Sequence, residues 1–268
     1  MPELPEVETT RRGIEPHLVG QIINSIQVRQ PKLRWPVPDC LQTLCGQKIL
    51  KVTRRAKYLL IDTNAGSALV HLGMSGSLRL VEHDEPPAFH DHVDMVLDQK
   101  TLRFTDPRRF GCWLYVEPNQ THSLLEKLGP EPLTEAFEAV GFYTQLRKTT
   151  RGIKQAIMDN HIVVGVGNIY ANEALFLSGI HPLRQANRIS KPRVEKLCNA
   201  IKTVLGKAIQ QGGTTLKDFV GGDGQPGYFQ QQLAVYGRAG QPCLKCQTTL
   251  KEVRVGGRST VYCHQCQR

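Results

Sequence analysis

Tyr58-Leu59-Leu60-Ile61-Asp62, followed by Asn64-Ala65-Gly66 and then Ala68-Leu69-Val70-His71-Leu72, reads as a β-hairpin. β-Branched and aliphatic residues run for about five positions, break at a Gly-bearing turn, and resume. The pattern repeats outward in both directions. Ile22–Val28 and Lys48–Val52 precede it, and Ser77–Val81, His92–Leu97, Thr101–Phe104 and Gly111–Val116 follow. Asp98-Gln99-Lys100 is a second turn of the same kind. Eight short strands with no helix between them predict an antiparallel sandwich or barrel.

Helical spacing brackets this β-rich stretch. Val7, Ile14 and Leu18 with charged residues between them predict one amphipathic helix over Val7–Val19, weakened by Gly13 and Pro16. Gly129-Pro130-Glu131-Pro132-Leu133 reads as a linker. Beyond it the period predicts helices over Thr134–Leu146, Ile153–Asp159, Gly167–Ser178 and Lys191–Gln210, the last ended by Gly212-Gly213. The composition of Val220–Gly227 is that of a flexible loop.

Cys243-x-x-Cys246 and Cys263-x-x-Cys266 stand 16 residues apart. Paired CxxC knuckles at this distance supply four thiolates to a tetrahedral Zn(II). An all-thiolate site leaves no open position, so the one expected ion is structural, and it orders a tail too short to build a core. Between the knuckles, Lys251, Arg254, Gly256-Gly257 and Arg258 predict a β-hairpin with a basic tip. Cys40, Cys45, Cys112 and Cys198 have no such partners and are expected as buried thiols.

Charge is unevenly spread. Residues 1–150 hold 18 Lys and Arg against 18 Asp and Glu, whereas residues 151–268 hold 16 against 6, so the net +10 lies in the second half. A one-sided basic field suits a polyanion, most simply nucleic acid. No run of 18 apolar residues predicts a membrane span, and the acidic, Pro-rich start is unlike a signal peptide.

Met1-Pro2-Glu3-Leu4-Pro5-Glu6-Val7-Glu8-Thr9 opens the chain. Once the initiating Met is removed, Pro2 presents a secondary amine that is partly unprotonated near neutrality. Attack on a sugar carbon gives an iminium, an electron sink of the Schiff-base kind, and Glu3 is placed to act as acid or base. Val163–Glu173 contains Gly165-x-Gly167 at a helix start, where free N–H groups and Asn168 suit a phosphate. With no preceding strand and no full GxGxxG, it does not read as a dinucleotide site. Lys51, Arg54, Arg55 and Lys57 cluster before a strand. In Asp106-Pro107-Arg108-Arg109-Phe110-Gly111 the guanidiniums suit an unpaired base and Phe110 suits a wedge. Met74, in Gly73-Met74-Ser75-Gly76, suits a gap-filler; core packing is the alternative for both apolar residues. His90-Asp91-His92 reads as a hydrogen-bonded loop.

These stretches together, in this order from residue 1 to residue 268, resemble the bacterial formamidopyrimidine-DNA glycosylases, also called 8-oxoguanine DNA glycosylase/lyases. The resemblance implies a multidomain α+β protein. An N-terminal antiparallel β-sandwich carrying an N-terminal helix is expected over 1–130, a helical domain with a helix–two-turns–helix motif over 131–236, and a zinc-bound β-hairpin over 237–268. It implies a bifunctional enzyme of base excision repair that removes oxidised purines through a Schiff base on Pro2 and then cuts the strand by β,δ-elimination, leaving a one-nucleotide gap. Glu3 would protonate the sugar ring oxygen, while Lys57 and Arg258 would grip phosphate and donate protons for the eliminations. Met74, Arg108 and Phe110 would fill the space of the flipped nucleotide, with Arg108 facing the orphaned cytosine. His90, Asn168 and Arg151 would contact the backbone, Lys148 being the other register for the last. Thr214, Thr215 and Lys217 precede the loop expected to close over the everted base. The implied partner is double-stranded DNA with oxidised purines or abasic sites, bound by a monomer in the bacterial cytoplasm at the nucleoid. Two rival readings remain at this level. Endonuclease VIII shares Pro2, Glu3, the glycine helix start and a zinc hairpin, but lacks the Leu4 start and the filling set. The other rival is a zinc-ribbon DNA binder without catalysis.

Overall fold

The computed structural model describes residues 2–212 and 233–268. The chain divides into two compact units, one of residues 1–126 with 211–228 and one of Lys127–Gln210 with Phe229–Arg268.

The first unit opens with helix α1, Leu4–Leu18. It begins three residues earlier than the apolar spacing predicts. Pro5 falls in the first turn, where its missing N–H is not needed, and the Glu3 N–H donates to Glu6 Oε2 at 2.8 Å as part of a capping box. Leu4, Val7, Ile14 and Leu18 point into the core.

Eight strands follow. One antiparallel sheet has the order β1 (Ile23–Val28), β6 (Asp91–Leu97), β7 (Thr101–Thr105), β5 (Ser77–Val81). The other has the order β2 (Lys51–Arg55), β3 (Tyr58–Thr63), β4 (Gly66–His71), β8 (Cys112–Val116). The hairpin predicted from Tyr58 to Leu72 is β3–β4, with Leu60 opposite Leu69. Alternation buries Leu59 and Ile61 on β3, whereas the central β4 buries Ala68, Leu69 and Val70 in succession. The two sheets share one apolar cluster, in which Phe104 and Trp113 meet edge-on at 6.2 Å between centroids. This is the predicted sandwich. One boundary shifts: Lys48 makes only an isolated bridge to Ile22, and strand pairing starts at Lys51.

The first unit closes with α2 (Ser123–Glu126), and in the second unit α3 (Ala139–Arg147), α4 (Ile153–Ile157), α5 (Asn168–Ser178) and α6 (Lys191–Gln210) follow in order. Helix α3 starts later than Thr134, because 131–138 turn around the linker prolines and bury Phe137 instead. Helix α6 has the predicted bounds and buries Val194, Leu197, Ile201, Val204 and Ala208, an i, i+3, i+4 stripe. The tail forms a hairpin of β9 (Lys251–Val255) and β10 (Arg258–Tyr262). Gly256 and Gly257, at φ +56° and +75°, make the turn that L side chains resist. β10 packs on α5, and Phe176, Val235, Leu250 and Val261 form a small core there with Cys243 and Cys263.

The expectation of four buried structural thiols holds for Cys112 and Cys198 but not for Cys40, which is exposed, or Cys45, which is half-buried. Both sit on or beside a surface 3-10 turn over Asp39–Leu44, whose apolar contacts are supplied by Leu41 and Leu44. Among the described residues no helix is long and apolar enough to cross a membrane.

Candidate active site and DNA-binding surfaces

Pro2 is buried at the start of α1, and Glu3 beside it is 1% exposed. The helix is clamped to β2 by Glu8. Its carboxylate accepts Arg54 Nε at 3.0 Å, Arg12 Nε at 2.9 Å and Arg11 Nη2 at 3.0 Å. Arg11 in turn donates to the Val52 carbonyl at 3.3 Å. Glu8 therefore lies opposite Arg54 and Arg11 opposite Val52, so α1 runs antiparallel to β2. Beyond Arg55, at the β2–β3 turn, Ala56 adopts φ +54° and Lys57 follows. Lys57 is 8% exposed. Burial first, and then the charges of Lys57 and Arg34, hold His71 at about pKa 4. It stays neutral, meets the Tyr58 ring at a 54° tilt with centroids 4.8 Å apart, and accepts the Gly73 N–H through Nδ1 at 2.9 Å.

Met74, in a turn, and Phe110, in the loop after Arg109, are 38% and 43% exposed. Neither is in the core, which disposes of the bland alternative. The Arg108 guanidinium lies 4.9 Å from the Phe110 ring centroid, and Arg109 adopts φ +54° between them. His90 is half-buried and lines, with Arg29 and Arg109, a cavity of about 380 Å³. Asp91 and His92 belong to β6 rather than to a loop, and His92 Nε2 donates to the Asp106 carbonyl at 2.8 Å.

The second unit gathers its own set. Arg151, Asp159, Lys154 and Arg258 line a cavity of about 430 Å³. Asp159 accepts Arg151 Nη2 at 2.6 Å; although burial opposes its ionisation, the His161 N–H and Arg151 hold its pKa at about 2. Lys154, 1% exposed, donates to Asn168 Oδ1 at 2.6 Å, Thr260 Oγ1 at 2.7 Å and the Ser259 carbonyl at 2.9 Å. One ammonium thus ties the start of α5 to the strand that carries Arg258. The glycine-rich turn does precede a helix, since Gly167 caps α5 and Asn168 is its first residue. The spacing reading left out Lys154 as a site residue, because a lone Lys in an apolar helix gives no sign of its partners. It also left out Glu173, a buried carboxylate that accepts the N–H groups of Ala234, Val235 and Tyr236 at 2.8–2.9 Å. Burial raises its pKa against those three donors. Thr214, Thr215, Lys217 and the loop at 220–227 lie outside the described residues.

The thiols of Cys243, Cys246, Cys263 and Cys266 all lie within 4.8 Å of one another. Separations of 3.4, 3.5 and 3.9 Å occur among them. Zn–S bonds of about 2.3 Å at tetrahedral angles require S···S near ~3.8 Å, so the four donors fit one zinc ion, and the site is closed and structural.

Comparison with known proteins agrees in every segment. Residues 1–113 match the formamidopyrimidine-DNA glycosylase N-terminal domain, 128–220 the H2TH domain of the same enzymes, and 240–268 the zinc finger found in FPG and IleRS. The formamidopyrimidine-DNA glycosylase of Shewanella oneidensis is 57% identical across 100% of this chain and 99% of its own length. That of Marinobacter nauticus is 58% identical over the whole of both. The crystal structure of the MutM (FPG) protein from Thermus thermophilus superposes with a TM-score of 0.92 at 40% identity, covering 99% of this chain and 98% of that one. A Lactococcus lactis FPG mutant, G226P, in complex with a Fapy-dG containing DNA, gives 0.94 at 36% identity over 100% of both. A two-sheet sandwich with a buried N-terminal Pro-Glu pair, joined in one chain to an H2TH helical unit and a four-thiolate hairpin, defines a DNA glycosylase of base excision repair. The chain belongs to the formamidopyrimidine-DNA glycosylase family.

Proposed function

We propose that this enzyme excises oxidised purines, 8-oxoguanine and formamidopyrimidines, from duplex DNA with Pro2 as the nucleophile. The Pro2 nitrogen attacks C1′, the glycosidic bond breaks, and the base leaves with a proton. Glu3 supplies a proton to the ring oxygen as the sugar opens to the iminium. The iminium acidifies C2′–H. Loss of that proton expels the 3′-phosphate, a second elimination expels the 5′-phosphate, and hydrolysis frees Pro2, leaving a one-nucleotide gap. Lys57 and Arg258 grip phosphates and donate protons in these eliminations. Met74, Arg108 and Phe110 occupy the vacated space, Arg108 facing the orphaned cytosine. His90, Asn168 and Arg151 hold backbone phosphates, and Thr214, Thr215 and Lys217 lead into the loop over the everted base.

The observation that carries this reading is the buried Pro2–Glu3 start of α1, held on β2 by the Glu8 clamp. Base eversion costs a few kcal/mol, so exposed filling residues belong to the same machinery. The organisation is read as three working parts, 1–130, 131–236 and 237–268, acting as a monomer. Free thiols and the basic second half support work on chromosomal DNA in the cytoplasm, at the nucleoid. Incubating the protein with an 8-oxoguanine·cytosine duplex and borohydride tests the function. A covalent adduct and a gapped strand are expected. Adduct formed only with oxidised pyrimidines would favour the endonuclease VIII reading, and binding with no adduct on any substrate would leave a non-catalytic DNA binder.

A further inference from the structure

Asp106 has no exposed surface, and none of the roles above uses it. Its Oδ1 accepts Ser75 Oγ at 3.1 Å and the Arg108 N–H at 3.3 Å, while its Oδ2 accepts the Gly111 N–H at 2.7 Å. Its main chain extends the junction. The Asp106 N–H donates to the His90 carbonyl at 3.0 Å, and its carbonyl accepts the Arg109 N–H at 3.2 Å. A single carboxylate therefore holds the turn carrying Met74 with one oxygen and closes the loop carrying Arg108 and Phe110 with both. The backbones of the two turns are also in direct contact. A Cβ on Gly73, at φ +66°, would stand 2.4 Å from the Gly111 nitrogen, and one on Gly111 would stand 2.6 Å from the His71 carbonyl. Neither turn can shift without the other.

We propose that Asp106 is a positioning residue that locks Met74 and the Arg108–Phe110 loop into one preformed wedge, so that base eversion and reading of the opposite base occur as a single insertion. This rests on the glycosylase reading above. The chemistry explains why an aspartate is used. All three donors converge on two acceptor oxygens, and an amide in its place turns an NH₂ toward one of them. Such hydrogen bonds to a buried charge are worth enough that losing one is felt in full.

The test separates insertion from covalent chemistry. Ser75→Ala, Asp106→Asn and Asp106→Ala are compared with wild type on two DNAs, an 8-oxoguanine duplex with cytosine or adenine opposite, and a single strand bearing an abasic site. The single strand has no base to evert and no partner base to read. Ser75→Ala removes a single hydrogen bond and leaves the carboxylate's two backbone donors in place, so it is the variant that keeps the fold. Single-turnover excision from the duplex is expected to fall about tenfold for Ser75→Ala. The fall should be smaller for Asp106→Asn than for Asp106→Ala, and the cytosine-over-adenine preference should shrink in step. Borohydride trapping on the abasic single strand should stay within twofold of wild type for Ser75→Ala and Asp106→Asn. Wild-type duplex rates in both Ser75→Ala and Asp106→Asn would overturn the proposal. So would equal losses on duplex and single strand, which would mark general damage to the fold. A wild-type protein that yields no adduct on either DNA would instead overturn the glycosylase reading itself.

Discussion

Arg54 Nε donates to Glu8 Oε2 at 3.0 Å across 46 residues of sequence, and this bond fixes where the first residues of the chain stand. Glu8 is 8% exposed and has three guanidinium partners, Arg11, Arg12 and Arg54. Removing the carboxylate leaves those partners short of an acceptor. Glu8→Gln should lower stability by roughly 2–4 kcal/mol, the lower end reflecting the exposed Arg12. The pH dependence has a definite sign. Burial opposes ionisation of Glu8, but the hydrogen bonds from Arg11, Arg12 and Arg54 prevail and lower its folded pKa below the ordinary 4.5. Its contribution is present above 4.5 and is lost as pH falls through the lowered value. Melting curves of wild type and Glu8→Gln from pH 7 to pH 3 should converge at the acid end. A gap unchanged down to pH 3 would contradict the charge-based account.

His71 has the same sign but a different cause, burial beside positive charge, and a higher pH window. Its pKa, lowered to about 4, means the unfolded chain takes up a proton near 6.5 that the folded chain refuses. Stability from this group falls between about pH 6.5 and 4. By NMR, its ring resonance should not move between pH 8 and 5.5. A midpoint above 5.5 would show that the positive field of Lys57 and Arg34 is weaker than the geometry implies.

Lys154 should matter for the hairpin rather than for the helix it sits on. Lys154→Met keeps the length and loses the ammonium, orphaning the Ser259 carbonyl and Asn168 Oδ1 at a cost of about 1–3 kcal/mol. Hydrogen exchange should accelerate over Arg258–Tyr262 while α6 stays protected. Uniform acceleration would indicate a global loss instead.

Zinc should report on the same hairpin. Cys246→Ser should reduce bound zinc from one per chain to near zero by elemental analysis and weaken DNA binding, since the small core around Phe176 and Val261 rests on the knuckles. Full zinc content in the variant would contradict four-thiolate coordination.

How far the sequence reads ahead varies with the kind of signal. The strands of the sandwich were legible because alternation and turn residues are local, and the four cysteines because ligand spacing is. Helix α6 was legible to the residue, its apolar stripe being unbroken. The start of α1 was not, because Pro5 looks like a breaker unless the Glu3–Glu6 cap is known. Helix α3 was over-extended because Thr134–Glu138 has helical composition but is turned by its tertiary contacts. Pro2, Glu3, Met74, Arg108 and Phe110 were singled out by their own chemistry and again by the resemblance. Asp106, Lys154 and Glu173 were not, since each acts through partners far away in sequence, and nothing in one residue's type announces a hydrogen-bond partner 31, 106 or 61 positions off.

The central claim is that the Pro2 nitrogen becomes bonded to deoxyribose. Mass spectrometry of the borohydride-reduced complex, digested and sequenced, tests it most directly. The account predicts a chain beginning at Pro2 with the sugar fragment on its imino nitrogen. A fragment on any other side chain, or fully active enzyme still carrying Met1, would contradict it.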